Sequence, residues 1–427
     1  MEKIGGITYE TVVGRTKEEL EKFGLKAVGY IGKHIVGTGE DIHLTTKVFI
    51  DLLKPHVILC SGKRGTGKSY SALVVLEEFC QLEEDFRKKL AFVVIDPMGI
   101  YWSMKFPNEQ QASLLKQWGL EPKGFKDFVQ IYVPEKQKEA YEKAGIPIDG
   151  TISISLKEFS AEDLILAFSL KRTEEIAITL EKNFNKLLTS SRTFGFEELI
   201  EEIKNDKESK VEIKNALISL LEVSRQWGLI VKEGIKIEDL VQPGRITIID
   251  LSRLASTELR SLLVALLARK IYHTRVLARK EEERVKIEGG KPKITFPITW
   301  FVLEEAHNFI PSDREVVSSD AIKRLAKEGR EPGIGLFVIT QMPNKVHQDI
   351  LSQCDIVISF RLTSKDDLQA LHAVMQTYMA EEIEKFISRL PRWPGAAIIL
   401  DDNLERVFTV NIRPRLSWHA GGTAVII

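Results

Sequence analysis

A short glycine-rich segment early in the chain has the composition of a phosphate-binding loop. Gly62-Lys-Arg-Gly-Thr-Gly-Lys-Ser69 matches GxxxxGK[ST] and follows the apolar run His56-Val-Ile-Leu-Cys-Ser61. Glycines let backbone N–H groups curl around an anion, and a following helix points its positive end at the phosphates. In this pattern the lysine neutralises the β- and γ-phosphates and the Ser hydroxyl binds Mg²⁺. The predicted nucleotide contacts are Gly62, Lys63, Arg64, Gly65, Thr66, Gly67, Lys68, Ser69 and Tyr70.

Two adjacent carboxylates follow the apolar run Trp300-Phe-Val-Leu303. Adjacent residues of a strand point to opposite faces, so Glu304 and Glu305 are expected to have separate tasks. We expect Glu304 to hold the shell of the Mg²⁺ ion through water, and Glu305 to polarise the attacking water as general base. A strand that ends in two solvated acids is the alternative. His307 has no second His or Cys at a ligand spacing, which favours a packing or hydrogen-bonding role over a metal site.

Two polar residues flank another apolar run, Gly333–Thr340. Gln341 is predicted to sense the γ-phosphate or orient the water, as glutamines do in other NTPases, unless it is a solvated strand end. Arg330 lies on the glycine-flanked loop 327–333, from which a guanidinium can reach a neighbouring subunit's nucleotide. A surface arginine without that role is the other interpretation. Asp96, before Pro97, either reaches the nucleotide or caps a turn.

The segments that must position these residues alternate between buried strands and helices. Six apolar runs rich in Val, Ile and Phe resemble strands covered on both faces. They are 57–60, 91–95, 245–250, 298–303, 336–340 and 355–360. Residues 397–400 and 406–412 flank Asp401-Asp-Asn403, which predicts an antiparallel hairpin. The pattern predicts an α/β fold with a mainly parallel sheet: a RecA-like P-loop NTPase core of the additional-strand, catalytic-glutamate type.

The chain divides into four expected regions. They are a short β-rich cap at 1–55, an ATPase core at 56–110 and 241–412, a helical insertion at 111–240, and a C-terminal extension at 413–427. Within the insertion, Ser160-Ala-Glu-Asp163 has the spacing of a capping box that opens a helix. Further helices are expected at 173–188, 196–204 and 211–227.

The overall composition excludes several classes of protein. The 427 residues include 60 basic and 61 acidic side chains, so the net charge of −1 argues against a histone-like, charge-driven binder. A ring can still gather basic groups in its channel, so nucleic acid remains a candidate partner. The 3 cysteines are scattered and predict neither disulfides nor a zinc site. Since no apolar run resembles a signal peptide or a membrane span, we expect a cytoplasmic protein.

Together, the motifs resemble the HerA/FtsK superfamily of P-loop ATPases, specifically its HerA-like (DUF87-type) branch. The resemblance covers roughly residues 45–420 and rests on five ordered blocks. The first three blocks are His56-Val-Ile-Leu with the P-loop, Asp96-Pro-Met-Gly-Ile-Tyr101, and Leu303-Glu-Glu-Ala-His-Asn-Phe309. The fourth is a long block that contains Ala326-Lys-Glu-Gly-Arg330, Thr340-Gln-Met-Pro343, Leu351-Ser-Gln-Cys-Asp355, Phe360-Arg-Leu362 and Asp366-Asp367. The fifth contains Leu390-Pro391, Pro394-Gly395 and Arg413-Pro-Arg415 with His419. The fourth block is the most specific.

The resemblance implies a homohexameric ring that uses ATP and Mg²⁺ to move double-stranded DNA through its pore. On matching positions Lys68 and Ser69 contact phosphate and Mg²⁺, Glu305 is the catalytic glutamate, Gln341 is the sensor and Arg330 is the finger acting in trans. The family also has an N-terminal β-barrel, which in HerA is associated with docking the NurA nuclease. Only about sixty residues precede this P-loop, so a reduced barrel is expected.

Two other functions fit the same motifs. One is an ATPase that powers a protein, secretion, pilus or antiviral defence assembly without processive DNA translocation. The other is a nucleotide switch in a defence assembly, with slow turnover. Pore contacts come from a few loop residues that have no readable motif, so the sequence does not separate these functions from a DNA motor.

Overall fold

A computed structural model describes residues 3–4, 7–8, 11–37, 41–190, 193–225, 228–254, 256–362, 366–367, 369–370, 386 and 390–422. Its strands are β1 Lys3–Ile4, β2 Ile7–Thr8, β3 Thr11–Val13, β4 Val28–Val36, β5 His43–Asp51, β6 Val57–Ser61, β7 Leu90–Asp96, β8 Val129–Pro134, β9 Gly150–Ile152, β10 Ile154–Ser155, β11 Ile230–Val231, β12 Ile246–Asp250, β13 Ile298–Leu303, β14 Ile334–Thr340, β15 Ile356–Phe360, β16 Ala396–Asp401 and β17 Arg406–Ile412. Its α-helices are α1 Lys17–Phe23, α2 Lys68–Gln81, α3 Glu84–Arg87, α4 Ala112–Gln117, α5 Lys138–Lys143, α6 Ala161–Ala167, α7 Glu175–Thr189, α8 Phe196–Asn205, α9 Val211–Arg225, α10 Ile237–Leu240, α11 Thr257–Glu288, α12 Ser319–Glu328 and α13 Gln348–Leu351.

One large sheet organises the described residues. Its 13 strands lie in the order β3-β5-β4-β17-β16-β15-β6-β14-β13-β7-β12-β8-β9. From β15 to β9 every neighbouring pair is parallel, whereas β15, β16, β17 and β4 pair antiparallel. The mainly parallel α/β sheet confirms the predicted fold class. The predicted hairpin is β16–β17, with Asp401 opposite Arg406.

Side chains of the central strands alternate between two hydrophobic clusters, one on each face of the sheet. In β6, Val57 and Leu59 pack on one face, while Ile58 and Cys60 pack on the other with helix α2. Burial on both faces is why these strands are apolar at nearly every position rather than at every second one. The six predicted core strands are therefore present, with bounds within two residues of those expected.

The order of three central strands defines the subclass of the fold. Strand β14 pairs with the P-loop strand β6 on one side and with β13, which precedes the two glutamates, on the other. An extra strand thus separates the phosphate loop from the acidic strand. Because all three run parallel, Ser61, Leu303 and Thr340 end at the same edge of the sheet. This edge carries the candidate site, as in other open parallel sheets.

The segment interpreted as a helical insertion also contributes strands to the main sheet. Helices α6 to α9 lie close to the predicted positions, and Ser160 and Asp163 form the predicted capping box. Residues 226–227 of the last predicted helix lie outside the described residues. Strand β8, however, pairs in parallel with β12, and β9 pairs with β8. Sequence analysis missed β8, although the alternating burial of Val129-Gln-Ile-Tyr-Val is typical of a strand near a sheet edge.

Strands from the first part of the chain continue the same sheet. Strand β4 pairs with β17, and β5 and β3 extend the sheet beyond it. Arg15, which follows β3, is buried and forms an ion pair of 2.7 Å with the buried Asp51 at the end of β5. The predicted β-rich cap is thus hydrogen-bonded to the core through β17. Among the described residues, no helix has the length and apolarity needed to cross a membrane.

Candidate nucleotide-binding and catalytic site

The glycine-rich loop lies between β6 and α2, as the motif predicts. Gly62, Gly65 and Gly67 have φ values of 156°, 78° and 114°. This region disfavours residues with a Cβ. At Gly62 the approach is also close, since an added Cβ would lie 2.6 Å from Cβ of Phe360. The loop leads directly into α2, which starts at Lys68, so its N-terminal N–H groups face the loop.

Lys68 lies inside the loop and close to the acidic strand. Its side chain is buried, and its Nζ donates a hydrogen bond of 2.9 Å to the carbonyl oxygen of Lys63. Burial lowers the pKa of Lys68, while the nearby carboxylates of Glu305 and Glu304 raise it. The ammonium group thus contacts the loop at Lys63 and is attracted electrostatically by both glutamates. Such a cation can bind phosphate oxygens in this place.

Glu304 joins the loop to the acidic strand. Its Oε1 accepts a hydrogen bond of 2.8 Å from Ser69 Oγ, and its Oε2 accepts one of 2.6 Å from Tyr101 Oη. Burial raises the pKa of Glu304 to about 7, although both hydrogen bonds oppose the shift. A hydroxyl and a carboxylate at this distance supply the hard oxygen ligands that Mg²⁺ prefers. The residues therefore fit a magnesium ion that keeps several of its waters.

Glu305 lies in a different environment from its neighbour. Its carboxylate oxygens each lie 3.3 Å from Gln341 Nε2, and its Oε2 lies 3.5 Å from His307 Nδ1. His307 also forms a hydrogen bond of 3.1 Å with Thr340 Oγ1, which fits the predicted hydrogen-bonding role. The structure thus brings together the two residues predicted to act on the attacking water, on neighbouring strands β13 and β14.

The backbone at Glu305 is unusual. Its φ and ψ of 52° and 49° lie in the left-handed region, which is uncommon for a residue other than glycine. Such a conformation costs about 1–3 kcal/mol and tends to occur at functional sites. Here it follows the last residue of β13 and precedes the short helical turn Ala306–Asn308.

The end of β7 and the turn that follows it support the site through Asp96 and Tyr101. Asp96 accepts backbone hydrogen bonds of 2.8–3.0 Å from Met98, Gly99, Ile100 and Tyr101. Of the two roles left open for Asp96, the structure therefore shows the turn-capping one. The capped turn fixes Tyr101, whose hydroxyl donates to Glu304. Sequence analysis assigned no role to Tyr101, although this residue closes the block Asp96-Pro-Met-Gly-Ile-Tyr101 on which the family resemblance partly rests.

Arg330 lies far from the other predicted catalytic residues of the same chain. It precedes β14, whereas Gln341 follows it, and the strand's 7 residues separate them by roughly 23 Å. The Arg330 side chain is 56% exposed, and its Nη2 lies 3.6 Å from Asp355 Oδ2. Within one subunit, therefore, this guanidinium lies at the opposite edge of the sheet from the P-loop.

The segment after β17 is attached to the P-loop helix through Glu77, which is fully buried. Its Oε2 accepts from Arg413 Nη1 at 2.9 Å and from the Leu416 N–H at 3.0 Å. Its Oε1 accepts from the N–H and Oγ of Ser417 at 2.9 and 2.6 Å. These buried contacts make the tail part of the folded core. Removing one partner of a buried ion pair generally costs about 3–5 kcal/mol of folding free energy.

The fold and the site together define a class of protein. A parallel sheet places a GxxxxGK[ST] loop, an additional strand with a polar tip and a strand ending in two glutamates at one edge. These are the features of a P-loop ATPase of the additional-strand, catalytic-glutamate type.

Within that class the chain belongs to the family described as the central domain of the helicase HerA, whose sequence model matches residues 30–271. This confirms the HerA-like branch indicated by the sequence motifs.

Named relatives agree with this assignment, and a solved structure shares the fold. The chain is 24% identical to the DNA double-strand break repair helicase HerA of Sulfurisphaera tokodaii, over 90% of this chain and 69% of that protein. It is 30% identical to the helicase of the same name from Pyrococcus furiosus, over 38% of this chain and 32% of that one. VirB4 of Thermoanaerobacter pseudethanolicus shares the fold, with a TM-score of 0.54 and 14% identity, over 91% of this chain and 97% of that chain.

Proposed function

We propose that this chain is the ATPase subunit of a ring-shaped motor that moves along double-stranded DNA. The ATPase activity in this proposal is supported by two hydrogen bonds at the same edge of the sheet. One joins Ser69 to Glu304, and the other joins Gln341 to Glu305. Family membership supports the DNA part, because the relatives are named DNA repair helicases.

Each residue of the site has a distinct task in ATP hydrolysis. The loop N–H groups and Lys68 bind the phosphates, while Ser69 and Glu304 hold the magnesium ion, which neutralises charge on the phosphate oxygens. Glu305 accepts a proton from the attacking water as that water adds to the γ-phosphorus. Gln341, hydrogen-bonded to Glu305, orients the same water. The products are ADP and inorganic phosphate.

The position of Arg330 supports an assembly in which subunits share their sites. A guanidinium that stabilises the γ-phosphoryl group must lie next to it, and Arg330 lies at the other edge of its own sheet. An exposed arginine at that edge is available to a neighbouring subunit's nucleotide. We therefore propose that the active form is a closed ring, a homohexamer as in the HerA-like branch, with Arg330 acting in trans.

Linear duplex DNA is expected to accelerate ATP hydrolysis, because a motor couples turnover to movement on its track. The measurement is steady-state phosphate release with and without a duplex long enough to pass through the ring. Lys68→Ala serves as the control for contaminating ATPases, since it removes the phosphate-binding cation and should show no turnover in either condition.

Binding of the same duplex is expected to weaken steeply with salt, with log K falling by about 0.9 per phosphate neutralised for each unit of log salt. Fluorescence anisotropy of labelled duplex at increasing salt gives the slope. If duplex neither binds at low salt nor changes the hydrolysis rate, the DNA part of the proposal is wrong and a protein-directed ATPase is favoured.

A further inference from the structure

The turn that carries Arg330 is closed by its own backbone. It connects the end of α12 to the start of β14. The Ile334 N–H donates to the Gly329 carbonyl oxygen at 2.7 Å, and the Gly333 N–H donates to the Arg330 carbonyl oxygen at 3.3 Å. Arg330 therefore lies on a short, hydrogen-bonded turn rather than on a long loop.

A buried arginine of α11 fixes this turn to the rest of the fold. The Arg275 side chain is 1% exposed, and its Nε donates a hydrogen bond of 2.6 Å to the Pro332 carbonyl oxygen. Its Nη1 donates to the carbonyl oxygen of Phe296, just before β13, at 2.5 Å and pairs with Glu282 Oε1 at 3.0 Å. A guanidinium is planar and rigid, so it holds the two carbonyl groups in a fixed relation. The turn is thus fastened to both α11 and the segment that leads into β13.

A carboxylate directly before β15 contacts the Arg330 side chain itself. Asp355 Oδ2 lies 3.6 Å from Arg330 Nη2. This contact involves one nitrogen of a group that has five N–H donors. Because more than half of the Arg330 side chain is exposed, other donors remain accessible to a ligand outside the subunit.

Hydrogen bonds from two other parts of the chain hold Asp355. Its Oδ1 accepts from the Val57 N–H at 2.9 Å, at the start of β6. Its Oδ2 accepts from His56 Nδ1 at 2.6 Å and from Asn403 Nδ2, in the β16–β17 hairpin, at 3.2 Å. Burial raises the pKa of Asp355, but the hydrogen bond and charge of His56 lower it by more. The carboxylate that meets Arg330 is therefore ionised and fixed in orientation.

His56 is the strongest of these supports, because it lies between two carboxylates. Its Nε2 lies 3.2 Å from Asp51 Oδ2, while its Nδ1 donates to Asp355. A neutral imidazole has only one N–H, so bonding to two ionised acceptors requires the imidazolium. Burial lowers the pKa of His56, and the two carboxylates raise it by more. The positive charge keeps the Asp355 carboxylate in place beside the guanidinium.

We propose that Asp355 and Arg275 are positioning residues for Arg330, and hold its guanidinium in the orientation that reaches the neighbouring subunit's nucleotide. The inference rests on the proposed function for the role of Arg330 in trans. A long exposed side chain loses conformational entropy when it is ordered. Contacts within the subunit order this side chain in part before the subunits meet. Asp355 and Arg275 both lie at the edge of the sheet that carries Arg330, so they act through Arg330 and not on their own subunit's nucleotide.

Asp355→Asn tests this role, because it keeps the size of the side chain and removes its charge. Turnover is expected to fall roughly 10- to 100-fold, since misplacing a catalytic group by about 1 Å can cost about 10²-fold. The dissociation constant of Mg·ATP, measured by calorimetry on the full chain, is expected to stay unchanged. Asp320→Asn makes the same change at a side chain of α12 that is 96% exposed, and should hydrolyse ATP at the wild-type rate.

Mixed rings separate a positioning role from a structural one. An Asp355→Asn subunit has an intact P-loop and a misplaced Arg330. Mixed with Lys68→Ala subunits, it should show more activity than the mean of the two unmixed proteins; mixed with Arg330→Ala subunits, it should show no gain. Damage to its own nucleotide site would give the opposite pattern, and a general assembly defect would give no gain with either partner. Each of these two patterns overturns the inference, as does wild-type turnover by Asp355→Asn.

Arg275→Lys provides a second test that leaves the Asp355 contacts intact. Lysine keeps the charge but lacks the rigid fork that joins the carbonyl groups of Pro332 and Phe296. The same gain with Lys68→Ala alone is expected, and this variant decides the inference if circular dichroism shows that Asp355→Asn is unfolded. Failure of the proposed function is distinguishable. In that case Lys68→Ala and Arg330→Ala subunits would not restore activity to each other, whereas failure of the inference leaves their mixture active.

Discussion

Glu305→Gln is expected to bind ATP with nearly wild-type affinity and to lose about 10²–10⁴-fold of its hydrolysis rate, the contribution typical of a general base. The amide keeps the size and the left-handed backbone of Glu305 but carries no charge and cannot accept the water's proton. The hydrogen-bond partners Gln341 and His307 remain available to it. Single-turnover hydrolysis with prebound ATP measures the chemical step separately from binding.

A matched control for Glu305→Gln is Glu208→Gln, which makes the same chemical change at a glutamate between α8 and α9 whose side chain is 83% exposed. The control should hydrolyse ATP at the wild-type rate. If Glu305→Gln turned over ATP as fast as this control, Glu305 would not be the base.

Arg330→Ala is expected to keep its ATP affinity and lose about 10³–10⁵-fold of its turnover, the contribution of an arginine finger in other NTPases. The guanidinium stabilises charge that develops on the γ-phosphoryl oxygens, so its loss affects the transition state and not the bound ground state. Arg324→Ala is the control, because Arg324 is also exposed and lies nearby on α12 but pairs with Glu328. It should retain turnover.

Mixed rings decide whether Arg330 acts in trans. Arg330→Ala subunits retain an intact P-loop, and Lys68→Ala subunits retain an intact finger. A mixed ring contains some interfaces where an intact P-loop faces an intact Arg330, so part of the ATPase activity should return. The finger assignment fails if mixtures that demonstrably exchange subunits stay inactive, or if the active protein is a monomer.

The edge of the sheet that carries the candidate site was predictable from the sequence, because each of its parts is local. The P-loop needs glycines at fixed positions and a lysine at the start of a helix, and these are adjacent in the chain. Glu304, Glu305 and Gln341 each end a continuous apolar run. Since parallel strands end at one edge, strand recognition alone places these groups together.

The rest of the site depends on contacts between distant segments. A cavity beside the P-loop is lined by Trp118, Trp393 and His419, yet no spacing rule links these residues. The contact between Tyr101 and Glu304 spans 203 positions and depends on a turn that Asp96 caps. Strand β8 was missed because it lies among helical segments, where its alternating pattern competes with helical interpretations of its surroundings.

Displacement of a third strand from duplex DNA tests the central claim most directly. A fluorescent oligonucleotide is bound as a triplex at one end of a linear duplex, and the protein is added with Mg²⁺ and ATP. A motor that moves along the duplex releases the third strand in a time that lengthens with the distance from its entry end, and Glu305→Gln releases none. An enzyme that hydrolyses ATP under these conditions but leaves the triplex intact at every duplex length would contradict the account.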